Sequence, residues 1–395
     1  MAPYRTSEVP QLPEFFRELP SRLMRESLVP WLTLVPRVAE AVALSAHKGE
    51  AKGVFHPGPA LLPAGSRVGI LCDTLYGDHE IGLDYAAGIQ TGAELISKLG
   101  YEPVIDPIHA AVPAYFERWA GSIEQRVQHL VRLIEEQRVD AIFPLFGKGG
   151  SDDVVDALAA TNYRPRRPIA LIGGFSHHTD LSLFGQSARG RGFFSHQIST
   201  TQCAYWKLLP SANIDNLRAV LQGAVSVEYS GLRALNGHAA VFERSIAGVL
   251  TGGNMTALVD SADKTWMPEL RGAIVYCEDY DRAGYDVHRG FSRLARLAET
   301  RGASAIVVGA MLPKKRVQPA KIDPERRRQQ EQKDRDEVVS ILSEVAARTQ
   351  LPVFHHDGIA SHGAMNYPLG FGAMTRIERD RSGGVVLFNE LQVRS

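Results

Sequence analysis

The chain has 395 residues, 44% of them hydrophobic, and balances 44 Lys and Arg against 44 Asp and Glu. That length accommodates two domains with their own cores, and the even charge balance excludes a global field drawing it to nucleic acid or an anionic membrane. Cys72, Cys203 and Cys277 are far apart and match no zinc spacing, and no stretch has the length of a membrane span or the apolar core of a signal peptide. The expectation is a cytoplasmic protein without nucleic-acid or membrane partners.

Residues 1–63 read as an N-terminal extension. Prolines at 3, 10, 13, 20, 30 and 36 break it, yet Phe15, Phe16, Leu23, Leu28, Trp31, Leu32 and Leu34 are too apolar for a free tail, so it is expected to dock on the body or on a partner chain. Ala39 to His47 fits one short helix. The first α/β unit starts with the strand Arg67 to Cys72, a polar turn from Asp73 to His79 and a helix from Gly82 to Leu99. A strand follows at Gly100 to Asp106, then the helix Ile123 to Gln137 with Val127, Leu130, Val131 and Ile134 on one face. The strand Val139 to Leu145 feeds a loop, Phe146 to Asp153, and a helix from Val154 to Ala160. Ile169 to Ile172 is a further apolar strand, ended by Gly173 and Gly174, with helix resuming over Thr179 to Phe184. Residues 205–245 read as a linker region with one helix near Asn213 to Gln222.

A second series begins with the strand Ser245 to Leu250 and the turn Thr251 to Met255. The strand Gly272 to Cys277 delivers Glu278, Asp279 and Tyr280 to its carboxyl end. The helix Val287 to Glu299, the strand Ala305 to Gly309, the helix Val338 to Ala347 and the strand Pro352 to Phe354 continue the alternation, interrupted by a charged segment, Lys314 to Asp336. The turn His355 to Gly363 follows, and a hairpin centred on Ser382-Gly-Gly384 closes the chain. The fold class is therefore α/β in two domains. A Rossmann-like parallel sheet with the nucleophile turn spans 64–204, and a C-terminal β/α domain spans 246–395. The working loops of such sheets lie at the carboxyl ends of the strands.

Ser176 sits where a strand passes into a helix, beside backbone N–H groups that can hold a developing oxyanion. The segment Gly174-Phe-Ser-His-His178 lacks the closing glycine of G-x-S-x-G, and a serine capping an ordinary helix is the plainer alternative. Glu278 and His362 also follow strands. An imidazole suits proton transfer from a serine, and a carboxylate orients the imidazole; an interface ion pair and a capped turn are their structural alternatives. Gly147-Lys-Gly-Gly150 lacks phosphate-loop spacing and reads better as a source of backbone donors. His177, His178, His196, His355 and His356 raise a metal hydrolase, but neither H-E-x-x-H nor comparable ligand spacing is present, which leaves metal the minority reading.

Taken together, several segments resemble the LD-carboxypeptidase family of serine peptidases, which includes the microcin-immunity amidases. Tyr115 to Arg126 resembles its helix start ending in E-E-R. Lys148-Gly-Gly-Ser-Asp152 stands where the family has R-G-G-Y-G, and Ile172 to Thr179 where it has G-Y-S-D-I-T. Gly252-Gly-Asn-Met255 resembles G-G-N-L, Val275 to Asp279 its L-E-D strand, Arg289 to Leu297 its R-m-L-x-q-L helix, and Ser361-His-Gly363 with Pro368-Leu-Gly370 its G-H…P-L-G ending. The resemblance implies Ser176 as nucleophile, His362 as general base and acid, and Glu278 as orienting carboxylate. The N–H of His177, with that of Gly149 or Gly150, would form the oxyanion hole. Lys148, Ser151, His178 and Asn254 would be substrate-binding. It further implies hydrolysis of a peptide or amide bond without metal or organic cofactor, with a murein tetrapeptide as the family-typical substrate, in a homodimer. Alternatives are an immunity-type amidase or a tailoring enzyme that passes the acyl group to an amine; a metal-dependent hydrolase or a binding protein that has lost turnover ranks below them. His177 replaces Asp, and Ser151-Asp152 replace Tyr-Gly, close to where a substrate would sit.

Overall fold

The computed structural model describes residues 62–71, 85–106, 114–115, 119–145, 150–173, 175–190, 193–199, 211–224, 226–242, 245–282, 284–313, 324–359 and 367–391. The expectations for residues 1–61, the turn at 73–79, Lys148, Gly149 and His362 fall outside them.

The first body is a six-stranded sheet. Its strands are β1 (Arg67–Leu71), β2 (Glu102–Val104), β5 (Ala141–Pro144), β6 (Ile169–Gly173), β7 (Phe194–Ser199) and β13 (Leu369–Phe371), in the order β13-β7-β6-β5-β1-β2. All neighbours are parallel except β13, which runs antiparallel to β7. A two-stranded ribbon, β3 (Ala114–Tyr115) with β4 (Trp119–Ala120), precedes the second helix. Helices α1 (Tyr85–Leu99) and α5 (Ser211–Leu221) cover one face, where Ile89, Leu95, Ile214 and Leu217 pack on Val68, Ile70 and Phe143. Helices α2 (Ile123–Glu135), α3 (Ser151–Thr161) and α4 (Phe175–Gln186) cover the other. Burial on both faces explains why these strands read as unbroken apolar runs. Helix α2 starts where the sequence places it because Ser122 and Gln125 form a reciprocal capping box.

The second body is a closed seven-stranded barrel. Strands β9 (Ile246–Asn254), β10 (Ile274–Arg282), β11 (Ala305–Pro313) and β12 (Val353–His355) run parallel. Strands β8 (Ser226–Ala234), β15 (Val385–Glu390) and β14 (Met374–Arg379) close it in antiparallel pairing. Side chains alternate across the wall. Ile274, Tyr276 and Val307 fill the interior with Leu250, Phe354 and Leu387, whereas Val275, Cys277, Ile306 and Val308 face outward. The outward set meets helices α6 (Met255–Asp260), α7 (Gly284–Thr300) and α8 (Pro324–Ala346).

One apolar cluster runs from Leu130, Leu158 and Phe184 of the first body to Trp266, Phe291 and Leu342 of the second, so the seam between them is itself core. The segment 205–245 enters both bodies, contributing α5 to the first and β8 to the second. Strand β13 comes late in the chain yet joins the first sheet. The buried side chain of Asn389 on β15 ties it down, accepting from the Gly370 N–H at 2.7 Å and donating to the Gly370 carbonyl at 3.1 Å. Across the seam, Asp156 of α3 accepts from Trp266 Nε1 at 2.7 Å and from Lys264 Nζ at 2.5 Å. Asp156→Ala strands the indole N–H of a fully buried tryptophan, and the expected cost is about 1–3 kcal/mol. Urea titration reads it; an unchanged midpoint would remove the seam from the list of stabilising contacts.

Candidate active site

Strand β6 ends at Gly173 and α4 begins at Phe175, so Ser176 and His177 are the second and third residues of a helix set at the carboxyl edge of a parallel sheet. Their backbone N–H groups belong to the first turn, which has no carbonyl partners within the helix, and the turn carries the positive end of the helix dipole. The packing of Gly173 against the Pro144 ring and carbonyl, where a Cβ would sit 3.3 and 3.5 Å away, brings the end of β6 tightly against β5.

Helix α4 is locked to the second body one turn after Ser176. The buried hydroxyl of Thr179 accepts from the Asn254 N–H at 2.8 Å. This approach requires the two glycines before Asn254. Gly252 and Gly253 have φ of +134° and +141°, and a Cβ on Gly253 would lie 2.2 Å from Thr179 Oγ1. Asn254 ends β9 and caps α6, accepting from the Ala257 N–H at 3.2 Å.

Directly across the ladder, Asn254 pairs with Glu278. Its Nδ2 lies 3.4 Å from Glu278 Oε1 and donates to Asp279 Oδ1 at 3.1 Å. The two neighbouring acids divide their work. Asp279 is bound to the start of α6, accepting from Thr256 N at 3.2 Å and Thr256 Oγ1 at 2.7 Å. Glu278 follows the strand alternation of Tyr276 and is 97% buried. Burial, with the charges of Glu278 and Asp279 beside it, pushes the Cys277 thiol well above its ordinary range, so this cysteine stays protonated and is no nucleophile.

Ile359 and Tyr367, the described residues on either side of 360–366, are held together at a narrow neck. Ile359 bridges Tyr367, the Tyr367 N–H donates to the Gly358 carbonyl at 2.7 Å, and the fully buried Tyr276 hydroxyl donates to the Ile359 carbonyl at 2.6 Å. On the other side, the Tyr229 hydroxyl donates to the Pro368 carbonyl at 2.5 Å. Strand β10 thus carries Glu278 and, two residues earlier, the group that holds the neck.

The remaining candidates are placed as follows. Gly150 caps α3 with φ +81°, and Ser151, fully buried, donates its hydroxyl to Asp180 of α4. His178 is buried with its ring 6.1 Å from that of Phe371 on β13, in the seam. His355 lies between Arg233, 2.8 Å from Nδ1, and Asp357, 3.0 Å from Nε2. The imidazole and the two guanidinium groups of Arg233 and Arg335 hold the Asp357 carboxyl below its ordinary range, the bond from His355 being the largest cause. His178 and His355 therefore belong to different surroundings, and among the described residues no three His, Cys, Asp or Glu gather to hold a metal. A cleft of about 900 Å³ between α5 and β8 touches Tyr367 and Gly358 at the neck, but none of its described lining residues belongs to α4 or β10.

Thr179, Gly253 and Tyr276 escaped the sequence reading as site-building residues. The doubled glycine before Asn254 was their one visible trace, since a pair of left-handed positions at a strand end marks a close approach of backbones.

A parallel sheet with a helix starting at its carboxyl edge, packed against a second body whose parallel strands carry a buried carboxylate, defines a two-domain α/β architecture. Sequence models of the LD-carboxypeptidase family match the chain, the N-terminal domain over residues 81–194 and the C-terminal domain over residues 247–377. Together they cover well over half of it, and the chain belongs to this family of serine peptidases. A murein tetrapeptide carboxypeptidase of Pseudomonas aeruginosa is 25% identical over 282 residues, which span 68% of this chain and 82% of that protein. The crystal structure of muramoyltetrapeptide carboxypeptidase from Oxalobacter formigenes superposes with a TM-score of 0.57 at 17% identity, covering 82% of this chain and 99% of that one. MccF in complex with glutamyl sulfamoyl guanosine superposes with a TM-score of 0.60 at 18% identity, covering 86% and 100%. These two superpositions establish the shared fold. Among the described residues, no helix is long and apolar enough to cross a membrane.

Proposed function

We propose that the protein hydrolyses a peptide or amide bond through Ser176, His362 and Glu278, and that its substrate is a murein tetrapeptide from which it removes the terminal D-alanine. The observation that carries this reading is the chain of contacts Thr179–Asn254–Glu278, which joins the first turns of the serine helix to the buried carboxylate across the two bodies. Family membership supports the reaction class, and the P. aeruginosa relative's activity supports the substrate.

In this mechanism His362 takes the proton of the Ser176 hydroxyl as its oxygen attacks the scissile carbonyl. The carbonyl π pair moves onto oxygen, where the N–H of His177 and that of Gly149 or Gly150 hold the negative charge; each such donor contributes about 2.7–4 kcal/mol. Collapse breaks the C–N bond, and the imidazolium returns its proton to the leaving amine. Water, deprotonated by the same imidazole, then cleaves the acyl ester and regenerates Ser176. Glu278 holds the imidazole tautomer and stabilises its cation.

The test is intact-mass analysis of products from wild type and Ser176→Ala with a murein tetrapeptide and with aminoacyl amides, among them glutamyl sulfamoyl guanosine, the ligand in the MccF complex. Release of D-alanine by wild type alone is the expected result. Turnover of the amides with the tetrapeptide untouched would replace the substrate and keep the serine mechanism. Equal turnover by Ser176→Ala would end the mechanism.

A further inference from the structure

Arg126 is 1% exposed, an unusual position for a guanidinium, and it lies against the start of α3. Its Nη1 donates to the carbonyl of Gly150, the residue that caps α3, and its Nη2 lies 3.6 Å from Asp153 in the first turn. Nothing in hydrolysis as proposed above uses this side chain. We propose that Arg126 is a positioning residue for the oxyanion site, an inference that rests on the reading of Gly150 and Ser176 given above.

Gly150, at φ +81° and ψ −1°, has no Cβ to restrain it and no side chain to cap the helix. The peptide joining it to Ser151 is trans, so the Ser151 N–H points away from the Gly150 carbonyl, and with ψ near 0° the Gly150 nitrogen lies on that same side, opposite the carbonyl. By holding the carbonyl on the buried side, Arg126 directs the first N–H groups of α3 out of the helix N-terminus. A peptide flip there would instead present a carbonyl oxygen, which repels an oxyanion. The buried positive charge also adds to the positive end of the α3 dipole. A second tie fixes the same helix start to the serine helix, since Ser151 donates to Asp180, which also accepts from Ser261 of the second body at 3.3 Å. The geometry of the α3 start relative to Ser176 is thus held from behind by Arg126 and from the side by Asp180.

The experiment is the rate at which a fluorophosphonate labels the full-length protein, read by intact mass and peptide mapping, in wild type, Ser176→Ala, Arg126→Met, Arg126→Lys and Asp153→Asn. The phosphonyl oxygen occupies the position of the tetrahedral oxyanion, so the rate reports the donors without requiring the natural substrate. Arg126→Met is expected to label about 100-fold more slowly than wild type, and Arg126→Lys about tenfold more slowly. Asp153→Asn loses the ion pair but keeps the bond to Gly150, and its rate is expected to stay within about twofold. Steady-state kinetics on the substrate found by the mass analysis of products should place the loss in kcat with KM preserved. Labelling of folded Arg126→Met within twofold of wild type overturns the proposal. Should Arg126→Met not fold, the same result in Arg126→Lys overturns it. Failure of wild type to label, or labelling in Ser176→Ala at the wild-type rate, overturns instead the serine assignment on which it rests.

Discussion

Glu278→Gln is expected to lower kcat about 10,000-fold with little change in KM. An amide of the same shape keeps the packing around position 278, but it has no charge to stabilise an imidazolium and can present an N–H where the imidazole needs an acceptor. The neighbouring acid provides the internal control. Asp279 spends its oxygens on Asn254 and on both donors of Thr256, so Asp279→Asn is expected to weaken the start of α6 by about 1–2 kcal/mol while kcat falls far less. Kinetics on the substrate identified by mass analysis, with thermal melts of both variants, separate the two acids. Equal losses of kcat would assign position 278 no special part in the chemistry.

Gly253→Ala is expected to destabilise the protein by about 3–5 kcal/mol and to abolish most activity. The alanine would have to adopt φ +141°, and its Cβ would meet Thr179 Oγ1 at 2.2 Å, Cγ2 at 2.9 Å and Cβ at 3.0 Å. The clash acts on α4 three residues beyond Ser176, so the serine turn is displaced with it. Thr179→Ala removes the first two of these atoms. The double variant should therefore recover part of the stability lost by Gly253→Ala, a coupling that a double-mutant cycle in urea measures. Strict additivity would show that the two residues do not meet.

Much of the fold was legible in the chain because both sheets have interior strands buried on two faces. Runs such as Ala141 to Pro144 and Ile274 to Cys277 carry no polar residue to disguise them, and α2 and α7 carry apolar residues at helical spacing. The barrel's closing strands were harder for a physical reason. In β8 a bulge at Gly231, with φ +86°, places the buried Tyr229 and Leu232 three residues apart instead of two, which breaks the alternation that marks a strand. Residues 324–336 of the charged stretch, which reads as a solvated helix or loop, form the first half of the final helix, so that helix starts well before Val338. Helix α8 starts at Pro324, a residue suited to a first helical turn, and among its described side chains the buried apolar ones, Val338, Leu342, Val345 and Ala346, lie in its second half. The positions of the candidates Ser176 and Glu278 just after or at the ends of strands could be read from the sequence because apolar runs mark where strands finish. Thr179 and Arg126 were not legible, because a threonine in a helix and an arginine on a helix face look like surface residues until another element covers them.

The late return of β13 to the first sheet bears on how such chains can be recombined. The family's two segments look like modules that could be shuffled, yet the edge strand of the first body is encoded between two strands of the second, and Asn389 fastens it from a third. A gene fusion that takes residues 62–199 from this chain and the remainder from a relative would set the relative's edge strand against this chain's β7, fastened by the relative's residue in place of Asn389. Viable hybrids of this architecture must therefore inherit β7, β13 and β15 from one parent, which makes that trio, rather than either domain, the unit of exchange.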